Sequence, residues 1–296
     1  VVSQPTFCVS IDLDDLRYYR AIHALPPVED TPIIFEKALP RFFDLCNKVG
    51  LKATFFTISM DLQWDGAKQA LKKAIADGHE IASHSHSHFY NLSQLDRCEI
   101  ITEVAGSKTE LETQLEITVK GFRGPGYNLS PTLLSVLAEA GFTYDASILP
   151  SPPYWAARAS IIAGMRLLGQ RSSSIPGRGR DFFKSRNPSK WPNGLMEYPI
   201  TACGPAMMPL IGTTITSDSL MRNHIVRCAK RLPFVQVEFH AIDFLDIVHD
   251  KLDPALAIEP ALKVPLSTRL ASFEHVLSTL AHDRQTPVLA EIGVKR

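Results

Sequence analysis

The sequence predicts an α/β fold, a distorted parallel (β/α) barrel of seven or eight units forming one domain over residues 1–296. Three observations lead there. Short β-branched or apolar runs alternate with longer helical ones, which implies a parallel sheet joined by right-handed crossovers. The number of such units suits a closed or nearly closed barrel better than an open sheet. Finally, Asp12, Asp14, His84, His88, Arg123 and His240 all follow predicted strands, where a parallel barrel collects its reactive groups.

Thr6 to Asp12 (TFCVSID) is a buried strand ending in acid. Thr31-Pro32 opens a helix over Ile33 to Val49, with Gly50 as its stop and Pro40 as an expected kink or split. Leu51 to Ile58 (LKATFFTI) is a strand, Gly66 to Asp77 a helix, and His79 to Ala82 a short strand after Gly78. A helix from about Ser93 to Leu115 precedes the strand Lys120 to Phe122, the helix Pro131 to Ala140 and the strand Phe142 to Ala146. Alternation then breaks over 149–193, a basic insertion rich in Pro, Gly and Ser. It resumes with the strand Leu195 to Ile200, a helix around Ser219 to Arg231 and the strand Phe234 to Phe239. The helix Ser267 to Asp283 and the strand Pro287 to Ala290 complete the pattern.

Composition narrows the function. With 45% hydrophobic and 21% charged residues and a formal net charge of zero, no global field favours nucleic acid. No apolar run approaches a transmembrane helix, and no charged leader opens the chain. Because the first residue is valine, a leader removed before it is compatible with the sequence. Cys8, Cys46, Cys98, Cys203 and Cys228 are scattered without ligand spacing, as expected of buried, reduced thiols in a cytoplasmic protein.

The densest chemical signal is Gly78 to His88 (GHEIASHSHSH), which holds four of the ten histidines. In an extended strand His84 and His88 would stand roughly 13 Å apart, too far for two bonds of about 2 Å to one ion. On a turn, residues i and i+4 come within about 6 Å. His84 and His88 therefore form a ligand pair if the chain turns there, with His86 pointing elsewhere. The third ligand falls to Ile11-Asp12-Leu13-Asp14-Asp15, where strand alternation projects Asp12 and Asp14 together. One carboxylate on a metal with a second beside it makes a hydrolytic centre.

These residues resemble the polysaccharide deacetylase (NodB-homology) family. Ser10 to Asp14 is similar to its Asp-x-Asp motif, and His84-Ser85-His86-Ser87-His88 to its His-[Ser/Thr]-x-x-His motif. Phe122 to Tyr127 (FRGPGY) is similar to its Arg-x-Pro motif, and Glu238-Phe239-His240 to its last, a strand ending in histidine. The resemblance runs in order from Thr6 to Asp246 and implies a barrel of that family's type. It implies that Asp14, His84 and His88 bind a divalent metal, usually zinc. It also implies Asp12 as general base, Arg123 holding Asp12 ionised, and His240 as general acid. Pro125 and Tyr127 would line the substrate site, with a backbone N–H near Tyr127 stabilising the oxyanion.

Two departures accompany it. Asp14-Asp15 offers a second register, disfavoured because Asp15 would face away. Where the family often has Asp-Trp, this chain has Leu195-Met196-Glu197-Tyr198, so Glu197 is expected to orient His240 or Arg123, with Asp243 as its competitor. His79 and His86 are read as packing, and Trp64, Trp155 and Trp191 as either gap fillers or sugar platforms.

The insertion carries a helical stretch from Tyr154 to Leu168, followed and interleaved by Arg158, Arg166, Arg171, Arg178, Arg180, Lys184, Arg186 and Lys190. A basic segment beside apolar residues suits either a solvated loop on the rim or a peripheral contact with the inner membrane face through 154–190. In the second case the substrate would be a lipid-linked sugar. The expected reaction is metal-dependent removal of an N-acetyl group from an amino sugar. Alternatives are a deformylase or another amidohydrolase, a glycan-binding barrel without turnover, or a structural metal module.

Overall fold

The computed structural model describes residues 4–177 and 184–293. Arg178 and Arg180, named above, lie outside the described residues. A curled sheet of eight strands forms the centre, seven of them mutually parallel. In chain order these are β1 (Thr6–Asp12), β2 (Thr54–Thr57), β3 (Glu80–Ser83), β4 (Gly121–Phe122), β5 (Tyr144–Asp145), β6 (Ser189–Lys190), β7 (Met196–Glu197) and, after a small hairpin of β8 (Ala202–Cys203) with β9 (Met208–Pro209), β10 (Phe234–His240). The spatial order is β10-β1-β2-β3-β4-β5-β7-β6, with β6 antiparallel at the edge. The chain beyond β7 then swings back to β10: Thr201 N donates to the Gln236 carbonyl at 3.2 Å, and Ile211 bridges Glu238 in parallel. Hydrogen bonding thus runs almost completely round the barrel, as the alternation implied.

The helices are α1 (Leu16–Ile22), α2 (Leu39–Val49), α3 (Asp65–Ala76), α4 (Arg97–Ile101), α5 (Ser107–Leu115), α6 (Pro131–Glu139), α7 (Pro152–Leu167), α8 (Gly212–Ile215), α9 (Ser219–Ala229) and α10 (Leu266–Ala281). The kink expected at Pro40 is a change of helix type. A π turn over Ile34–Ala38 runs into α2, which leaves the proline in the first α turn where its missing N–H costs nothing. A second π turn, Thr102–Gly106, joins α4 to α5 within the predicted 93–115 helix. The outward faces of the strands meet these helices in an aromatic core, where Phe42 packs edge-on against Phe55, Phe239 and Phe244.

Several features differ from the sequence pattern. Helix α1 was not foreseen, because LRYYRAI is short and aromatic; Asp15 caps it by accepting the Arg17 N–H at 3.0 Å. The expected strand Pro287 to Ala290 is absent, and Leu289–Glu291 forms a 3-10 turn instead. Side chains take the amides a strand would need there: Leu289 N donates to the Thr54 hydroxyl at 3.1 Å and Ala290 N to Glu80 at 3.0 Å. Cys98 is exposed on α4, whereas Cys8, Cys46 and Cys203 are buried; all five cysteines are free.

His79 has the structural role read from its place before the motif. Its Nδ1 accepts the Ala53 N–H at 3.0 Å, and its ring sits against Phe43 and Phe55. Burial pulls its pKa down to about 4. The fold thus holds it neutral, while the unfolded chain takes up a proton below the usual value near 6.5. Its stabilising contribution is therefore complete above about pH 6.5 and lost as pH falls towards 4. Urea unfolding at pH 7.5 and 4.5 should show the wild type losing about 1–2 kcal/mol more than His79→Gln, after allowance for solvent screening. Equal losses in the two proteins would assign the acid sensitivity elsewhere.

Candidate metal centre

The C-terminal ends of β1, β3, β4 and β10 meet at one end of the barrel. Beyond β1 the Leu13 N–H still donates to the Phe56 carbonyl at 3.0 Å, so the chain stays extended and Asp14 follows Asp12 onto the interior side. Asp15, turned away, caps α1, which leaves Asp12 and Asp14 as the carboxylates at the centre.

After β3 the chain turns as the histidine spacing required. Ser85 and His88 take left-handed backbone angles (φ 68° and 56°), costly for non-glycine residues unless locally supported. The serines supply that support: Ser83 Oγ accepts the Ser85 N–H at 3.2 Å and Ser85 Oγ the His88 N–H at 3.0 Å. The His84 and His88 rings end 4.8 Å apart. His86 points outward to Ser59 and Glu110, as its alternate position implied.

Asp14 Oδ1 lies 3.2 Å from His84 Nε2 and 3.3 Å from His88 Nε2, and one ligand atom from each residue falls within 4.8 Å of the others. Asp14 Oδ1 and both ring nitrogens of His88 are buried with no hydrogen-bond partner. A native fold rarely leaves three such atoms unsatisfied, and together they have the donor chemistry of a divalent-cation site. His84 Nδ1 donates to the Arg123 carbonyl at 2.7 Å, which turns its Nε2 lone pair towards Asp14. Tyr18 and Tyr90 clasp the His88 ring at 4.3 and 4.8 Å.

The charges suit the same ligand. Burial would raise the Asp14 carboxyl, but the two imidazoles beside it, His88 foremost, hold it well below the usual carboxylate range. Burial keeps His88 below the ordinary imidazole value despite Asp14. Burial acts likewise on His84, but Asp12 and Asp14 outweigh it and push that ring up. A proton on His84 and a cation therefore compete for one lone pair, so cation affinity falls as pH falls.

Beside this cluster lies an ion-paired layer. Arg123, fully buried, donates from Nη1 to Asp12 Oδ1 at 2.6 Å, from Nε to the Ala146 carbonyl at 2.9 Å and from Nη2 to Ser10 Oγ at 3.1 Å. Its guanidinium stacks over Phe56 at 4.0 Å. Asp12, Glu238 and His240 also form a tight group, but Arg123 Nη1 stands 3.6 Å from Glu238 Oε1 and already supplies a cation there. His240 ends β10 with its side chain 26% exposed to the cavity. Burial would lower it, but Glu238, Asp14, Asp12 and Asp243 together push it up to about 9. Asp243 accepts the His240 backbone N–H at 2.9 Å, an approach open only because Gly212 lacks a Cβ, which would sit 2.0 Å from that carboxylate.

Several expectations are corrected. Glu197 reaches neither His240 nor Arg123: β7 lies beside β5, so Glu197 accepts from Ile148 N at 3.0 Å and Trp191 Nε1 at 3.1 Å and abuts Asp145. Burial and that carboxyl neighbour raise its pKa well above the usual range, so it holds the loop after β5 rather than a reacting proton. The acid that does face His240 and Arg123 is Glu238, quoted only as motif context in the sequence. Burial, then Asp12, push it up to about 8. Tyr127 is closer to the chemistry than expected, since its hydroxyl donates to Glu238 Oε1 at 2.7 Å and lies 3.1 Å from His240 Nε2. Its backbone N–H is taken by the Gly124 carbonyl at 2.9 Å, which removes that amide as an oxyanion donor. Pro125 is buried in the turn that presents Tyr127. Trp155 and Trp191 are held by the Leu149 carbonyl and Glu197, and Trp64 precedes α3 against the core, so none forms a platform at the centre. Arg158 also turns inward, to the Gly126 carbonyl and Ser174.

A parallel barrel with two histidines and a carboxylate converging beside an ion-paired second carboxylate has the layout of a hydrolase centre. The family model described as Polysaccharide deacetylase matches residues 27–144, which include His84, His88 and Arg123 but neither Asp12, Asp14 nor His240. No curated protein matches the chain. Among solved structures, a proposed polysaccharide deacetylase from Mycobacterium smegmatis aligns over 99% of this chain and 90% of its own, with a TM-score of 0.61 and 14% identity. A CE4 family pseudoenzyme from Bacillus anthracis aligns over 98% and 66%, with a TM-score of 0.53 and 11% identity. A peptidoglycan N-acetylglucosamine deacetylase, solved with an N-oxidanyl-benzamide compound, aligns over 98% and 89%, with a TM-score of 0.52 and 11% identity. Residues 27–144 thus match the polysaccharide deacetylase family model, and the chain as a whole shares the fold of these solved structures.

Proposed function

We propose that the protein is a metal-dependent N-deacetylase that hydrolyses the acetamido group of an amino sugar in a polysaccharide or lipid-linked glycan. The observation that carries this is the set of buried, partnerless ligand atoms on Asp14 and His88, converging with His84 beside Asp12. Asp14, His84 and His88 would hold the cation, zinc by family resemblance, which when bound supplies a Lewis acid that activates water and polarises the acyl oxygen.

The remaining chemistry belongs to the chain. Arg123 ties down Oδ1 of Asp12, leaving Oδ2, 3.7 Å from His84 Nε2, to accept a proton as water adds to the acyl carbon. His240, kept protonated by the carboxylates around it, donates to the nitrogen as the C–N bond breaks. Acetate and a free amine result. Tyr127 and Glu238 hold the His240 ring, and Tyr127 also lines the cavity above the centre.

The membrane part of the reading is supported by the exposed end of α7, where Leu167 and Leu168 are 89% and 78% exposed beside Arg166 and Arg171. No described helix is long and apolar enough to cross a membrane. A cytoplasmic location with peripheral contact through 154–190 would follow.

The test is metal content read together with product release. Purified wild type should contain close to one equivalent of zinc or a similar cation and release acetate from N-acetylated glycosides. His84→Ala should lose most of both while remaining folded. A wild type that binds no divalent cation would sink the proposal. Stoichiometric metal without release from any acetylated or formylated sugar would favour the non-catalytic reading, a pseudoenzyme like one of its fold neighbours.

A further inference from the structure

The centre opens directly into a cavity of about 640 Å³, within the usual range of a small-molecule site. Asp12, Asp14, His84 and His240 form its floor. Its walls are of a different character. Ile161, Ile162 and Met165 of α7, with Ile211, Ile242 and Ile258, supply much of its apolar lining. Polar groups, among them Arg158, Ser174, Glu259 and Lys263, also line the cavity, but a sugar ring laid on the isoleucine faces would leave hydroxyl groups there without partners. An alkyl chain would meet no such cost. Ile161 and Ile258 line the cavity yet remain 54% and 49% exposed, so the apolar surface continues from the interior to the rim.

The walls also have a direction relative to the chemistry. Ile242 follows His240 by two residues, and Ile211 bridges Glu238, the residue beside the His240 ring. The apolar side is thus the side of the group that protonates the departing amine. We infer that the substrate is amphiphilic: an N-acetylated amino sugar whose apolar aglycone lies between α7 and the wall of Ile211, Ile242 and Ile258. This rests on the deacetylase reading for its orientation, and on the cavity alone for its chemistry.

Acetate release should be compared for methyl, butyl and octyl glycosides of N-acetylglucosamine, all below micellar concentrations. Full burial of one methylene contributes about fourfold, so even partial burial should raise kcat/KM at least about thirtyfold from methyl to octyl. The double variant Ile161→Asn, Ile258→Asn should cut that gain to about threefold. A flat chain-length series would overturn the inference while leaving the deacetylase intact. So would a gain that follows an N-octanoyl group instead, which would place the chain on the acyl half. A second arm needs no turnover: octyl β-glucoside, titrated by intrinsic fluorescence, should bind saturably and at least tenfold more weakly to the double variant. Equal binding by both proteins overturns the pocket. Binding with that difference, but no release from any glycoside, supports the pocket and removes the deacetylase reading.

Discussion

Asp12→Asn is expected to lower the rate of acetate release by about 10²- to 10⁴-fold, the usual contribution of a positioned base. The substitution is isosteric, and the amide oxygen can still accept from Arg123 Nη1, now 2.6 Å from Oδ1. What disappears is the proton acceptor on the oxygen that Arg123 leaves free. Asp14, His84 and His88 are untouched, so bound metal should stay near wild type, while the unfolding midpoint should fall because buried Arg123 loses the charge of its closest partner. Measuring all three quantities on one preparation separates base loss from damage. A rate within tenfold of wild type would move the base to another group.

Arg123→Met should destabilise the fold by about 3–5 kcal/mol, because removing one partner of a buried ionic group leaves the others uncompensated. The exposed consequence is specific: Asp12 and Glu238 would face each other, both buried, without the guanidinium that stands 2.6 and 3.6 Å from them. Glu238→Gln in the same background removes one of the two carboxyls and should recover part of the loss. A double-mutant cycle on urea midpoints therefore expects coupling of about 1–3 kcal/mol. Additive effects would mean that Glu238 is held neutral by burial and takes no charge from Arg123.

Much of this centre was legible in the sequence because barrel chemistry gathers at strand ends and each strand announces itself locally. The alternation set Asp12, Asp14, Arg123 and His240 at strand ends, the requirement for a turn paired His84 with His88, and the resemblance to the family's motifs gave Arg123 and His240 their roles. Glu197 was misplaced because its strand pairs with β5, not with β10, and pairing order is not encoded within any one segment. Glu238 was overlooked because Gln236, Glu238 and His240 alternate along β10 as the polar face of any strand would; only the packing of Tyr127 and Arg123 gives it partners. The cavity was invisible for a similar reason. It is assembled from α7, the start of α8 and the 3-10 turn Pro254–Ile258, pieces far apart in the chain that meet over the floor.

Arg123 has one more consequence, for assembly rather than chemistry. Its side chain reaches Asp12 across 111 residues of sequence, while its carbonyl orients His84 across 39. Neither contact can exist until β1, β3 and β4 stand in register, and such non-local pairing comes late and slowly in folding. The unfolded chain consequently offers a cation only scattered ligands. Any ion that binds the native centre alone stabilises the fold by mass action, so the protein's unfolding midpoint becomes a reading of cation supply.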